Sequence, residues 1–244
     1  MLVDREGEIV WKYGQAGVTG SGSNELNTPV QATALPNGDV LITDQANERV
    51  IEVTPEHHIV WQYGMTRTTG SGFNQLNNPN SAELLRNDHI LIADENNNRV
   101  IEVDRSHHVV WHYGSPNNTT TLNGAAFASR LPNGHTLITD SNNNRVVEID
   151  QHKHVVFTFS TNTRAGSITD PLPTRAVRLV NGDTLISDQF NDQVIEINSA
   201  AKIVFAQGHI NRDGDDFNQL NAPYDAKVVG DYTGLTPPPD PNNN

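Results

Sequence analysis

The chain has 244 residues, no cysteine and a formal net charge of −13, with 35 % of its residues hydrophobic. The lack of cysteine excludes disulfides and thiol chemistry, the acidic balance argues against nucleic acid as a partner, and no apolar run approaches the ~18 residues of a membrane helix. No charged-then-apolar leader opens the chain; the compartment stays open, with an extracellular or cell-envelope location favoured.

In chain order, the opening MLVDREGEIVWKYG reads as two short strand-like runs around a polar turn. A Gly- and Asn-rich connection follows, then VQATALPNGDVLITD, in which Asn-Gly favours a tight hairpin. After Asp44 come Gln-Ala-Asn-Glu, the run RVIEV, a polar turn and the run IVWQYG. Val, Ile, Thr, Trp and Tyr dominate all four runs, as strands require. The unit then recurs. Its marker leucine falls at Leu41, Leu91, Leu137 and Leu185, at intervals of 50, 46 and 48, and a weaker copy follows 50 residues on at Leu235. An alanine sits nine residues before each marker, at Ala32, Ala82, Ala128, Ala176 and Ala226. Four antiparallel strands per repeat of about 40–50 residues predict a β-propeller blade. The N-terminal segment matches the third and fourth runs, with Asp4 opposite Asp104 and Trp11 opposite Trp111, and DAKVVGDYTGLTP matches the first two. The expectation is therefore an all-β, five-bladed propeller of four-stranded antiparallel blades, its last blade closed by both termini. Residues 1–236 form the single domain and 237–244 a Pro/Asn-rich tail or loop.

The phrases DQANERV, DENNNRV, DSNNNRV and the degraded DQFNDQV, with the preceding GSGSNELNTP and GSGFNQLNNP, resemble the NHL-repeat family of propellers. LPNGDVLITD and VIEVTPEHHIVWQYG are similar to arylsulfotransferase-like propellers. The resemblance implies a first strand lining a central channel. It also implies an alternative activity, because related propellers include metal-dependent lyases and hydrolases that use channel acids and histidines. No histidine falls in any first run, and no G-x-S-x-G, H-E-x-x-H or phosphate loop is present.

Asp44, Asp94, Asp140 and Asp188, with Asn47, Asn97, Asn143 and Asn191, have calcium-type donors, but a feature present in every unit serves every unit. These residues are read as turn caps, with Arg49, Arg99 and Arg145 bonding the turn. Trp11, Trp61, Trp111, Phe157 and Phe205 share one position. They are expected to fill the gaps between blades rather than stack on a sugar. His57–His58, His107–His108, His152 and His154 share another and are read as solvated turns, too far apart to share zinc or nickel. Asn211, Asp213 and Asp215 in NRDGDD have the alternating spacing of a calcium loop without its downstream glutamate. They are the candidate metal site, and Ca2+ the candidate cofactor.

The units disagree around the recurring alanine. The residue before it is Gln31, Ser81, Phe127, Arg175 or Asp225; the residue after it is Thr33, Glu83, Ser129, Val177 or Lys227; the next is Ala34, Leu84, Arg130, Arg178 or Val228. Unlike charges at a repeated position predict a pocket, the other possibility being a channel whose charges pair for stability. Arg175, Arg178, Arg130, Glu83, Asp225, Lys227 and Gln31 are the candidate ligand-binding residues, behind the loops 15–29, 65–79, 115–126, 161–173 and 209–223. The expected function is a non-catalytic binding or interaction module for a small molecule, glycan or protein at the channel mouth. The alternatives are a calcium-assisted lyase or hydrolase, and a purely structural repeat domain of a larger protein.

Overall fold

The computed structural model describes residues 1–231. Its first sheet pairs β1 (Leu2–Val3) with β2 (Ile9–Trp11). Four four-stranded antiparallel sheets follow. Blade 1 contains β3 (Pro29–Ala34), β4 (Val40–Asp44), β5 (Arg49–Val53) and β6 (Ile59–Tyr63). Blade 2 contains β7 (Pro79–Leu84), β8 (Ile90–Asp94), β9 (Arg99–Val103) and β10 (Val109–Gly114). Blade 3 contains β11 (Ala125–Arg130), β12 (Thr136–Asp140), β13 (Arg145–Ile149) and β14 (Val155–Ser160). Blade 4 contains β15 (Arg175–Arg178), β16 (Thr184–Asp188), β17 (Gln193–Ile197) and β18 (Ile203–Gln207). No helix among the described residues is long and apolar enough to cross a membrane.

The register is the same in every blade. The recurring alanine faces an isoleucine: Ala32 opposite Ile42, Ala82 opposite Ile92, Ala128 opposite Ile138 and Ala176 opposite Ile186. A small residue there lets the first strands of successive blades approach closely. The turn after the first strand needs one left-handed residue, supplied by Gly38, Gly134 and Gly182 and, in blade 2, by Asp88. The glycine that ends the fourth run has a sharper reason. At Gly64 a Cβ would lie 2.2 Å from the Glu48 carbonyl, and Gly114 and Gly208 stand equally close to Asn98 and Asp192.

The core lies between sheets. Leu41, Val50, Trp61 and Tyr63 on the trailing face of blade 1 pack on Ala82, Ile90, Ile92, Ile101 and Val103 on the leading face of blade 2. Blades 2 and 3, and blades 3 and 4, repeat this arrangement, and Trp11 and Tyr13 pack on Val40, Ile42, Ile51 and Val53 of blade 1. At Trp11, Trp61, Trp111 and Phe157 the shared aromatic position therefore fills the inter-blade gap, whereas Phe205 is exposed. The Trp11 and Trp61 indole N–H groups donate to the Pro55 and Arg105 carbonyls of the following turn. The histidines are more involved than solvated turns would be. His57 meets Trp11 and Tyr13 edge-on, and His107 meets Trp61 and Tyr63 in the same way, while His58 and His108 are exposed.

The expected blade number is corrected from five to four. Ala226–Val229 forms no strand: Val228 and Val229 are exposed and the Asp231 N–H closes a turn onto the Val228 carbonyl. The counterpart of VLITD around Leu235, and the 237–244 tail, lie outside the described residues. The sequence supplies a physical reason. Where the four blades have a run of β-branched residues around leucine with no glycine or proline, the fifth copy reads YTGLTPPP, and glycine and proline both weaken a strand. The interval to Leu235 matched, but the strand chemistry did not. The closure of a last blade by both termini is corrected with it: among the described residues β1 and β2 pair only with each other.

Candidate functional site

The D-x-x-N-x-R phrase is a closed hydrogen-bond unit. Asp44 Oδ1 accepts the Asn27 N–H at 2.7 Å, and Oδ2 accepts Asn47 Nδ2 at 2.8 Å and Arg49 Nε at 2.7 Å. Asn47 and Arg49 then donate to carbonyls of the incoming loop, at Gly20, Ser21 and Glu25. Asp94 and Asp140 repeat the pattern with Arg99 and Arg145. Burial pushes the Asp94 carboxyl up to about 6 even against the pull of Arg99. In blade 4, Gln193 replaces the arginine, and Arg164 from the 161–173 loop bonds both Asp188 and Gln193 instead. Their carboxylate oxygens are thus largely engaged by N–H donors. Among the described residues no group of three or more His, Asp or Glu side chains is arranged to hold a metal ion.

NRDGDD folds as the counterpart of two other inter-blade loops. Asp213 bridges Leu220 as Thr19 bridges Leu26 and Thr69 bridges Leu76. Asn218 caps the Gly208 N–H as Asn24 caps Gly14 and Asn74 caps Gly64. Asn211 is left-handed and donates its backbone N–H to the Asn191 carbonyl. Asn211, Asp213 and Asp215 therefore sit on an exposed loop whose shape comes from its own backbone bonds.

The inner-strand candidates separate into three groups. Gln31 and Glu83 reach sideways to the next blade: Gln31 Oε1 accepts the Ala82 N–H and Glu83 Oε2 the Arg130 N–H, each at 3.0 Å. Ser81 bonds the Ala128 N–H in the same way. Burial pushes the Glu83 carboxyl up to about 8, against the pull of the Arg130 N–H and guanidinium. Arg130 and Arg178 point to the opposite face, as two-residue alternation requires. There they pair with third-strand glutamates, Arg130 with Glu102 at 3.0 Å and Arg178 with Glu148 at 2.6 Å, and Arg130 also stacks on Trp111. Asp225 and Lys227 form an exposed pair at 2.8 Å.

Arg175 stands apart. It is 3 % exposed, at the mouth end of the first strand of blade 4. Its Nη1 donates to Asn80 Oδ1 of blade 2 at 3.1 Å and to the Ala126 carbonyl of blade 3 at 3.0 Å, and its Nη2 donates to the Asn80 carbonyl at 3.5 Å. Its guanidinium lies between the Phe127 and Tyr224 rings, 5.0 Å from each centroid. The Tyr224 hydroxyl donates to the same Asn80 Oδ1 at 2.7 Å, and the Tyr224 carbonyl accepts the Thr174 hydroxyl. Asn80 Nδ2 and Asn78 Nδ2 both donate to Glu95 Oε2. Burial lowers the arginine's pKa and raises that of Glu95. Among the described residues, no carboxylate forms an ion pair with Arg175 and no acceptor bonds its Nε.

Asn80, Glu95 and Tyr224 were not among the sequence candidates. The signal for Asn80 and Tyr224 lies one residue closer to the mouth, where the copies read Val30, Asn80, Ala126, Thr174 and Tyr224, and Glu95 stands where the other blades have Gln45, Ser141 and Gln189. A separate cleft of about 350 Å3 lies beside β2, lined by Ile9, Val10, Trp11, Lys12 and His57, away from this mouth.

No protein-family model and no curated protein matches the sequence. Solved structures do share the fold. Selenomethionine-substituted virginiamycin B lyase from Staphylococcus aureus is similar over 86 % of this chain and 63 % of its own, at 15 % identity and a TM-score of 0.57. A streptogramin B lyase is similar over 86 % and 61 %, at 14 % identity and a TM-score of 0.58. Kuenenia stuttgartiensis hydrazine synthase is similar over 80 % and 52 %, at 15 % identity and a TM-score of 0.53. The chain spans between about half and two thirds of the length of these structures. At such identities the likeness shows the fold alone, that of a β-propeller.

Proposed function

We propose that this propeller is a non-catalytic binding module that takes a carboxylate-bearing ligand at the channel mouth, on the Nε–Nη2 edge of Arg175. The observation that carries this reading is the guanidinium itself. Asn80 and Ala126 hold one end and two aromatic rings hold its plane, while Nε has no acceptor among the described residues. A planar guanidinium fixed in this way matches a carboxylate with two parallel hydrogen bonds. A hydrogen bond to a charged group contributes about 1.5–3 kcal/mol net, so a carboxylate that meets the Nε–Nη2 edge gains on that order in addition to its other contacts. Binding is favoured over catalysis because all ten histidines lie outside β3, β7, β11 and β15.

The test is a thermal-shift screen of acetate, benzoate, succinate and glycine against the wild type, Arg175→Lys and Glu95→Gln. At least one acid should raise the wild-type midpoint saturably, by an amount equivalent to about 2.7 kcal/mol at a hundredfold excess over its Kd. Arg175→Lys keeps the charge but loses the two-pronged edge and should weaken that response at least tenfold. Glu95→Gln should strengthen it by removing a competing negative charge. If no acid shifts the wild type, or Arg175→Lys responds equally, the reading fails.

A further inference from the structure

Among the described residues every sheet-to-sheet core contact joins a trailing face to a leading face, and one of each is left uncovered. On the trailing face of blade 4, Phe205 is 49 % exposed, although Trp61, Trp111 and Phe157 at the same position are partly buried under the next blade. On the leading face of the β1–β2 sheet, Val3 is 49 % exposed, although Val53, Val103, Ile149 and Ile197 at its position are fully buried.

The charges on these two faces are complementary by the chain's own rule. The third-strand glutamate of each of the first three blades pairs with an arginine of the blade that follows: Glu52 with Arg105, Glu102 with Arg130 and Glu148 with Arg178. Glu196 is the fourth member of that series. Its hydrogen-bond partner is the Asn181 amide, and no cation pairs with it among the described residues. The β1–β2 turn carries Arg5 at the place where the β9–β10 turn carries Arg105, and Arg5 is exposed without a partner among the described residues. The trailing face thus holds an unpaired glutamate beside an exposed phenylalanine. The leading face holds an unpaired arginine beside an exposed valine.

We infer that the trailing face of blade 4 is an interface for a second copy of this chain, which docks its β1–β2 sheet there head to tail, Arg5 on Glu196 and Val3 against Phe205. Such a contact uses different patches on the two partners, so it builds a ring if the rotation closes and an open chain if it does not. The interface reproduces the aromatic-on-aliphatic packing and the inter-blade ion pair already present inside the molecule. It is independent of the reading of Arg175.

The test uses the cysteine-free background of the chain. Val3→Cys and Phe205→Cys are made in separate chains, at exposed positions that leave the core intact, then mixed under mild oxidation. Head-to-tail docking predicts a mixed disulfide dimer that forms well ahead of either homodimer. Light scattering should give a multiple of the monomer mass that falls on dilution. Arg5→Glu and Glu196→Arg should each reduce it to the monomer, and the double charge reversal should restore it. A monomer at every concentration, or association indifferent to both reversals, overturns the inference. So does a rapid disulfide within one chain carrying both cysteines, combined with no mixed dimer, because the two faces would then meet inside a single molecule.

Discussion

Glu83→Gln isolates one buried proton. In the native state the Glu83 carboxyl accepts the Arg130 N–H and is buried, and burial pushes its pKa from the ordinary 4.5 up to about 8. In the unfolded chain the same carboxyl ionises near its ordinary value. Between those values the folded state holds a proton that the unfolded state has lost. The stability contribution is therefore fully present below pH 4.5 and is lost as the pH rises toward 8. At ~1.4 kcal/mol per pH unit, the gap corresponds to an upper bound of about 5 kcal/mol. Asp94, raised to about 6 by burial, acts with the same sign at lower pH. His112, lowered by burial, acts with the opposite sign below about pH 6.5. Glu95 and Asp188, raised by burial, act with the same sign as well, so the difference between the amide and the wild type isolates Glu83, which should carry about 2 kcal/mol from pH 6.5 to 8. Urea unfolding at pH 5, 6.5, 7.5 and 8.5 provides the assay. The amide should come closest to the wild type at pH 5 and gain on it steadily up to about pH 8, levelling off above that. Parallel stability curves for the two proteins would show that Glu83 does not hold the proton.

Other perturbations follow from the same contacts. Trp61→Ala empties the gap between blades 1 and 2 and should cost about 3–5 kcal/mol by chemical denaturation; an unchanged midpoint would contradict that packing. Arg164→Met leaves Asp188 buried without its cation and should cost about 3–5 kcal/mol, whereas Arg67→Met in the corresponding loop of blade 2, where Arg99 serves Asp94, should cost far less. Chelation should leave the melting temperature unchanged, because the 211–215 loop is shaped by backbone bonds and the Asn218 cap; a fall restored by added calcium would place an ion there.

The repeat was legible because its register is written in small residues. The alanine column and the turn after it recur in four blades, and each alanine meets the same isoleucine partner. The fifth copy kept the spacing of Leu235 but not the strand chemistry, and its described part, Ala226–Val229, forms no strand. The charged columns around the alanine were also visible, but what they bonded was not. Arg130 and Arg178 turn away from Glu83 because alternate residues face opposite sides of a strand, and their glutamate partners lie in the preceding blade, 28 and 30 residues away. The mouth was harder to read. Asn80, Arg175 and Tyr224 meet across separations of 95 and 144 residues, and no local pattern announces such contacts. The replacement of Gln193 by Arg164 as the partner of Asp188 was equally hidden, since it exchanges a strand residue for a loop residue.

The most direct measurement of the central claim is the Arg175 side-chain Nε–H resonance, followed by heteronuclear NMR while the acid found in the screen is titrated in. A carboxylate seated on the Nε–Nη2 edge predicts a saturable downfield shift of that resonance, absent in Arg175→Lys, with the Arg178 Nε–H resonance unmoved because the Thr184 hydroxyl already accepts it. An Arg175 resonance that stays in place while the midpoint still rises would put the ligand elsewhere and contradict the proposed site.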